Sequence, residues 1–250
     1  MFGLKQGWAC LFGGIMLALM LGSAIVWPHH ALVARYDFLA VAALAVQIAM
    51  LGLKLESVEE AKVILVFHIV GTAMEVFKTH VHSWVYPESS LLHIGGVPLY
   101  SGFMYASVGS YIARVRRIFR MNFSHYPPVW MTWILALGIY ANFFADHWRI
   151  DLRWVLFILS ALLFGRTWTY FTPDRIERRM PFLLSGVLVS AFIWLAENLG
   201  TFSRSWTYPS QAHAWSPVNP QKIGSWFLLA VISFVLVSLV QKPQRSQPVQ

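Results

Sequence analysis

The stretch ENLGTFSRSWTYP, residues 197–209, ends a long apolar run, and a stretch of the same build, EVFKTHVHSWVYP, occupies residues 75–87. In each, Glu is followed by Thr four residues on, Ser-Trp eight and nine on, and Tyr-Pro eleven and twelve on. One shift of 122 residues superposes Glu75 on Glu197, Thr79 on Thr201, Trp84 on Trp206, Tyr86 on Tyr208 and Pro87 on Pro209. Without a gap it also carries Trp8 onto Trp130, Pro98 onto Pro220 and Gly102 onto Gly224. A shared offset across two loops predicts a chain built twice, with half-repeats 1–121 and 122–243 and a short polar tail at 242–250.

The chain around these stretches is 57% hydrophobic and only 12% charged, about half the ~25% charge of a soluble domain. Apolar runs close to the ~20 residues that span a bilayer recur throughout. They predict an all-α, polytopic transmembrane bundle of eight helices: 8–27, 38–54, 62–79, 98–115, 129–146, 152–171, 181–200 and 222–240. Seven spans is the alternative, because 38–54 is short and 62–79 carries polar residues. The first run reads as a span, since no small-residue cleavage site precedes Trp27-Pro28.

The formal net charge of +8 does not point to nucleic acid, because the basic residues sit between apolar runs and no basic tract interleaves with exposed aromatics. They read as topology determinants and contacts to anionic membrane lipid. Thirteen of the nineteen Lys and Arg fall on one side of the predicted spans, including Arg114, Arg116, Arg117 and Arg120 and the Arg175–Arg179 cluster. The expectation is a multi-pass protein of the bacterial cytoplasmic (inner) membrane with both termini cytoplasmic. Four spans per repeat is even, so the repeats are parallel. Glu75 and Glu197 are then expected at equal depth, near the outer helix ends. The single cysteine, Cys10, excludes an intrachain disulfide and a cysteine-rich metal site. No P-loop or dinucleotide fingerprint is present.

The segments VFHIVGTAMEVFKTH (66–80), SWVYPE (83–88), GGVPLYSGFMYASVGSYI (95–112), HYPPVW, ANFF, RMPF, WLAENLGTF and WSPVNPQKIGSWF resemble the DUF817 family of bacterial membrane proteins. The resemblance runs from about residue 34 to 240. It implies a multi-pass architecture and assigns no catalytic residue. A narrower likeness, Glu75 through Tyr105, is to the small membrane carotenoid enzymes, the heterodimeric lycopene cyclases and bacterioruberin-type hydratases. Those place acidic residues at helix ends near a Gly-Pro-aromatic stretch, but the paired-glutamate signature of the cyclases is missing here.

His68, Thr72, Glu75 and Thr79 are spaced by four, three and four residues, so they share one helical face. The run 181–200 supplies Glu197, Asn198 and Thr201 in the same way. A carboxylate in a span is costly and faces a bundle interior or an aqueous cavity. Glu75, Glu197, His68 and Asn198 are therefore candidate catalytic residues, one carboxyl donating a proton while the other stabilises charge. The competing reading makes them hydrogen-bonding glue between helices. Lys78, three residues from Glu75, is placed to pair with it and keep it ionised, which favours Glu197 as the acid. Trp84, Tyr86, Trp206 and Tyr208 are candidates to line a lipid or polyene pocket, with an interfacial aromatic belt as the alternative.

His80 and His82 are candidate ligands for a divalent metal, with His93, His147 and His213 on the same predicted side. The second copy has Phe202 and Arg204 in their places, so such a site is asymmetric. Asn142, Asp146 and His147 end the fifth run, where Asp146 is placed to pair with Arg149. The small residues of SGFMYASVGSY (101–111) predict close helix packing. Three functions compete: a membrane-embedded enzyme acting on an apolar lipid or isoprenoid, a proton- or cation-linked transporter of a small solute, and an accessory protein whose loops bind a partner.

Overall fold

Ser57 starts a helix through a capping box. Its hydroxyl accepts from the Glu60 N–H at 3.2 Å, while the Glu60 carboxylate accepts from the Ser57 N–H at 2.9 Å. In the computed structural model, which describes residues 1–28, 30–145, 151–241 and 243, this helix is α4, Val58–His80. Before it come α1 (Phe2–Ala9), α2 (Leu11–Val26) and α3 (Arg35–Gly52). After it come β1 (His93–Ile94), β2 (Val97–Pro98), α5 (Tyr100–Ile118), β3 (Asn122–Ser124), α6 (Val129–Ala145) and α7 (Arg153–Phe164). The chain closes with β4 (Trp168–Phe171), β5 (Arg178–Pro181), α8 (Phe182–Phe202) and α9 (Lys222–Val240).

The fold is mostly helical rather than all-α. Among the described residues, α3, α8 and α9 are long and apolar enough to cross a membrane, and α1 with α2 brings the number to four if that pair, broken at Cys10, is counted as one span. The run at 8–27, expected as one helix, is thus two. The run at 152–171 also departs from expectation: its helix stops at Phe164 and its tail becomes β4. The cause is local, since Trp168-Thr-Tyr-Phe171 is aromatic and β-branched and fits a pleated strand better than a helix. Helix α9 begins and ends at the expected residues. Along α8, Leu184, Val187, Leu188, Phe192, Leu195 and Leu199 are exposed, an apolar surface suited to lipid. The end of the fifth run, with Asp146, His147 and Arg149, lies outside the described residues.

The chain divides into two compact units. The first, here the carboxylate unit, comprises residues 10–110 and 195–219. Its core joins Met20, Tyr36, Leu39, Ala40 and Tyr100, and a second cluster joins Phe12, Met16, Ala43 and Met50. Helices α4 and α5 approach closely at glycines: a Cβ on Gly71 would lie 2.7 Å from Tyr105, and one on Gly109 2.6 Å from Phe67. This is the close packing that the small residues of α5 predict. Asp37, in the first turn of α3, accepts from the Ser90 hydroxyl at 2.7 Å and from the Leu91 and Leu92 N–H groups at 3.0 and 2.8 Å. The loop after α4 is thereby pinned, and it turns back at Gly95-Gly96, whose φ values of 58° and 80° suit the tight β1–β2 hairpin.

The second, here the sheet unit, comprises residues 1–9, 111–194 and 220–250. Strands β3, β4 and β5 form an antiparallel sheet in that order. Helix α9 is buried from Leu228 to Val235, so its uniformly apolar sequence reflects a central position. Asn142, near the end of α6, accepts from the Leu152 N–H at 2.9 Å and so ties α6 to the start of α7.

Candidate functional site

The two copies of the opening stretch adopt one backbone conformation. In the first, Val81 N–H reaches Phe77 O at 3.0 Å, His82 N–H reaches Thr79 O at 3.0 Å and Ser83 N–H reaches Lys78 O at 2.9 Å. In the second, Ser203, Arg204 and Ser205 N–H groups bind Leu199, Thr201 and Gly200 carbonyls at 3.0, 3.1 and 3.1 Å. Each is a Schellman-type helix end with a left-handed residue, His82 at φ 56° and Arg204 at φ 53°. Glycine is the usual choice there, because a side chain in that region costs about 1–2 kcal/mol. His82→Gly is expected to raise stability by roughly 0.5–1 kcal/mol, glycine's larger unfolded-state entropy offsetting part of the gain. Thermal unfolding of the detergent-solubilised chain reads this directly, and an unchanged or lowered midpoint would mean the imidazole is held by something worth more than the strain.

The two loops then pair with each other. Val85 N–H donates to Thr207 O at 3.0 Å and Thr207 N–H to Val85 O at 2.9 Å, an antiparallel bridge between positions 122 apart. The rings of Trp84 and Tyr208 meet edge to face at 6.1 Å.

Beneath this bridge each loop returns its aromatics to its own carboxylate. Glu75, 3% exposed, accepts from Trp84 Nε1 at 2.7 Å and Tyr86 OH at 2.6 Å, both on Oε2, and from Tyr105 OH at 2.7 Å on Oε1. Glu197, also 3% exposed, accepts from the Tyr208 hydroxyl. Burial, and then the adjacent carboxylate, hold the Tyr86 and Tyr208 phenols well above their ordinary range, so both remain protonated donors. Tyr86 and Tyr208 are therefore hydrogen-bond donors to the two acids. Trp206 takes a different course from Trp84. Its ring lies over Gly200, where any Cβ would collide with it, and it packs against the Tyr36–Tyr100 core.

The three donors on Glu75 are neutral, and Lys78, buried beside it, is not among them. The expected Glu75–Lys78 pair is thus replaced by phenol and indole donors. Asn198 faces its own loop, accepting from Val218 N–H at 2.9 Å. Thr201 accepts from Trp215 Nε1 at 3.2 Å and Gln211 Nε2 at 3.3 Å. The first copy has no such filling: Nδ1 of His68 and Oγ1 of Thr72 and Thr79 are buried without hydrogen-bond partners among the described residues. The His68 ring lies 4.6 Å from that of Phe103.

His80 closes α4 and His82 sits in the left-handed turn, both exposed. Among the described residues no three His, Cys, Asp or Glu side chains gather where a metal ion could sit. The pair thus offers two imidazoles on an open turn.

Four residues outside the repeated stretches complete the site. Arg35 holds Glu88 through a 2.7 Å ion pair and donates to Arg204 O at 3.1 Å. Tyr36 OH donates to the same carbonyl at 2.9 Å, and Tyr100 OH donates to Ser205 O. Tyr105 is the fourth. Tyr100 and Tyr105 lie in the segment 95–112, but no spacing rule points from there to Glu75 or Ser205.

Long apolar helices, exposed apolar helix faces and acids buried among phenols define a helical membrane protein with a polar interior site. The chain belongs to the family described as a protein of unknown function, DUF817, whose pattern matches residues 1–234. It is 40% identical over 248 residues to the uncharacterized protein YoaT of Bacillus subtilis (strain 168), covering 99% of this chain and 93% of that one. The fold is similar to that of a mycobacterial Insig homolog, MvINS from Mycobacterium vanbaalenii, with a TM-score of 0.52 and 13% identity over 76% of this chain and 98% of that one. A cross-linked MvINS trimer matches equally, with a TM-score of 0.52 and 14% identity.

Proposed function

We propose that the Glu75–Glu197 region is the reactive site of a membrane-embedded enzyme that acts on an apolar lipid or isoprenoid by acid–base chemistry in the outer leaflet. The observation that carries this reading is the row of unpartnered polar atoms, His68 Nδ1, Thr72 Oγ1 and Thr79 Oγ1, on the α4 face that bears Glu75. Leaving a buried polar group unpaired costs about 1–3 kcal/mol, and the polar end of a lipid substrate laid along this row would remove that cost. Glu75, ringed by donors, is suited to hold negative charge against a developing cation. Glu197, with the Tyr208 phenol on it, is suited to pass a proton. Trp84, Tyr86, Trp206 and Tyr208 then serve as the aromatic wall, and membrane lipid is the partner.

The same reading has the chain as two parallel four-helix repeats, eight crossings, with both termini cytoplasmic and the site facing outward. In support, α5 and α9 are offset by 122 residues at both ends, and α4 and α8 at their C-terminal ends. A second reading, a proton- or cation-linked transporter, is favoured by the Val85–Thr207 bridge, which brings the loops that follow the two acids together as equivalents.

Untargeted lipid profiling of cells expressing the wild type, Glu75→Gln or Glu197→Gln tests the first reading. Acid–base groups contribute about 10²–10⁴-fold to rate, so a lipid altered by the wild type should return to the vector-only level in both variants. Identical profiles for all strains would remove lipid chemistry and leave transport.

A further inference from the structure

Arg116, near the end of α5 in the sheet unit, is 8% exposed. Its guanidinium carbon lies 5.8 Å from the Phe123 ring and 5.2 Å from the Phe234 ring, and its Nη1 has no hydrogen-bond partner among the described residues. No carboxylate among the described residues pairs with it. Aromatic faces attract a guanidinium but accept no directed hydrogen bond, so a buried cation retains donors aimed at nothing.

The sheet beside it supplies matching groups. Phe123 lies directly opposite Thr169 across β3–β4, so the two side chains share one face. Thr169 is 3% exposed, and its Oγ1 is also without a partner among the described residues. Two residues on, Phe171 is opposite Arg178, so the exposed Arg178 belongs to the same face. One face of this sheet therefore carries an orphan guanidinium nearby, an orphan hydroxyl, and a second guanidinium at its edge.

We propose that Arg116, the Thr169 hydroxyl and Arg178 form a binding site for an anionic phosphate group, presented by a phospholipid head or as free phosphate. A planar guanidinium gives two parallel N–H donors to phosphate oxygens, and a hydroxyl gives a third. The segments around the site are basic throughout, with Arg114, Arg117 and Arg120 on one side and Arg175 and Arg179 on the other. Asp174 and Glu177 are the acids there, and both lie exposed in the β4–β5 turn.

Purified full-length chain is titrated with dihexanoyl phosphatidylglycerol in one arm and inorganic phosphate in the other, reading the thermal midpoint. Arg116→Met removes an uncompensated buried charge, so it is expected to fold at least as well as the wild type. Thr169→Val is the second variant, and Arg120→Gln controls for loss of surface charge. The lipid is expected to raise the midpoint of the wild type and of Arg120→Gln, with apparent affinity falling roughly tenfold or more in Arg116→Met and less in Thr169→Val. A shift by inorganic phosphate alone, lost in Arg116→Met, identifies free phosphate as the source. No shift with either ligand, or a full shift retained in Arg116→Met, overturns the site.

Discussion

Glu75→Ala is expected to destabilise the carboxylate unit by about 3–6 kcal/mol, because three half-buried donors lose their acceptor and an orphaned donor costs about 1–3 kcal/mol when fully buried, less when half-buried. Trp84 Nε1 has no alternative role, since an indole N–H can only donate. Tyr86 and Tyr105 can rotate their hydroxyls, yet both rings are half-buried against the same acid. Glu75→Gln should be much milder. Its amide oxygen, set where Oε2 now lies, accepts from Trp84 and Tyr86, while its NH₂ faces Tyr105, whose hydroxyl turns to accept. Thermal unfolding in detergent distinguishes them: a large drop for Ala and a small one for Gln is the expected pattern. Equal, small drops would mean that the donors find water. This contrast also makes Glu75→Gln the proper variant for function, because it removes charge while keeping the pocket.

Gly71→Val is the second large effect, and it acts on the same acid from behind. Even a Cβ at Gly71 would sit 2.7 Å from both Cβ and Cγ of Tyr105, so a branched side chain must push that ring away. Overpacking of this kind costs about 1–3 kcal/mol, and losing the Tyr105–Glu75 bond adds about 0.5–3 kcal/mol. A double-mutant cycle separates the two. In a Tyr105→Phe background the hydrogen bond is already gone, so Gly71→Val should cost less there, with a coupling of about 0.5–3 kcal/mol. Strict additivity would show that the helices part without moving the phenol off Glu75.

These two residues mark what the sequence discloses. Glu75 stands out because it interrupts an apolar run and is echoed at Glu197, and its partners Trp84 and Tyr86 follow within the same repeated stretch. Gly71 carries no such mark, because the small residues from which close packing is read lie at 101–111, on the helix opposite it. Tyr105, thirty residues along, carries no local sign that its hydroxyl meets Glu75, since that contact depends on how α4 crosses α5. Tyr36 and Arg35 are more remote still, lying 168 and 169 residues before the carbonyl they share. Periodicity reports which face of a helix is apolar and says nothing of which helix lies opposite. The same limit explains β4: hydropathy is blind to the point where an apolar helix gives way to an apolar strand.

The hydrogen bonds from Arg35, Tyr36 and Tyr100 to the Arg204 and Ser205 carbonyls span 169, 168 and 105 residues of chain. During synthesis at about 5–20 residues per second, the donors emerge roughly 5–35 s before their acceptors exist. Throughout that interval the nascent first half carries hydroxyls and a guanidinium directed at a core that is not yet there. Closure of this part of the protein is therefore a late event, triggered by delivery of the second loop. A chain stopped short of residue 203 would leave the ribosome with every element of Glu75's own cluster in hand but with the floor beneath it open.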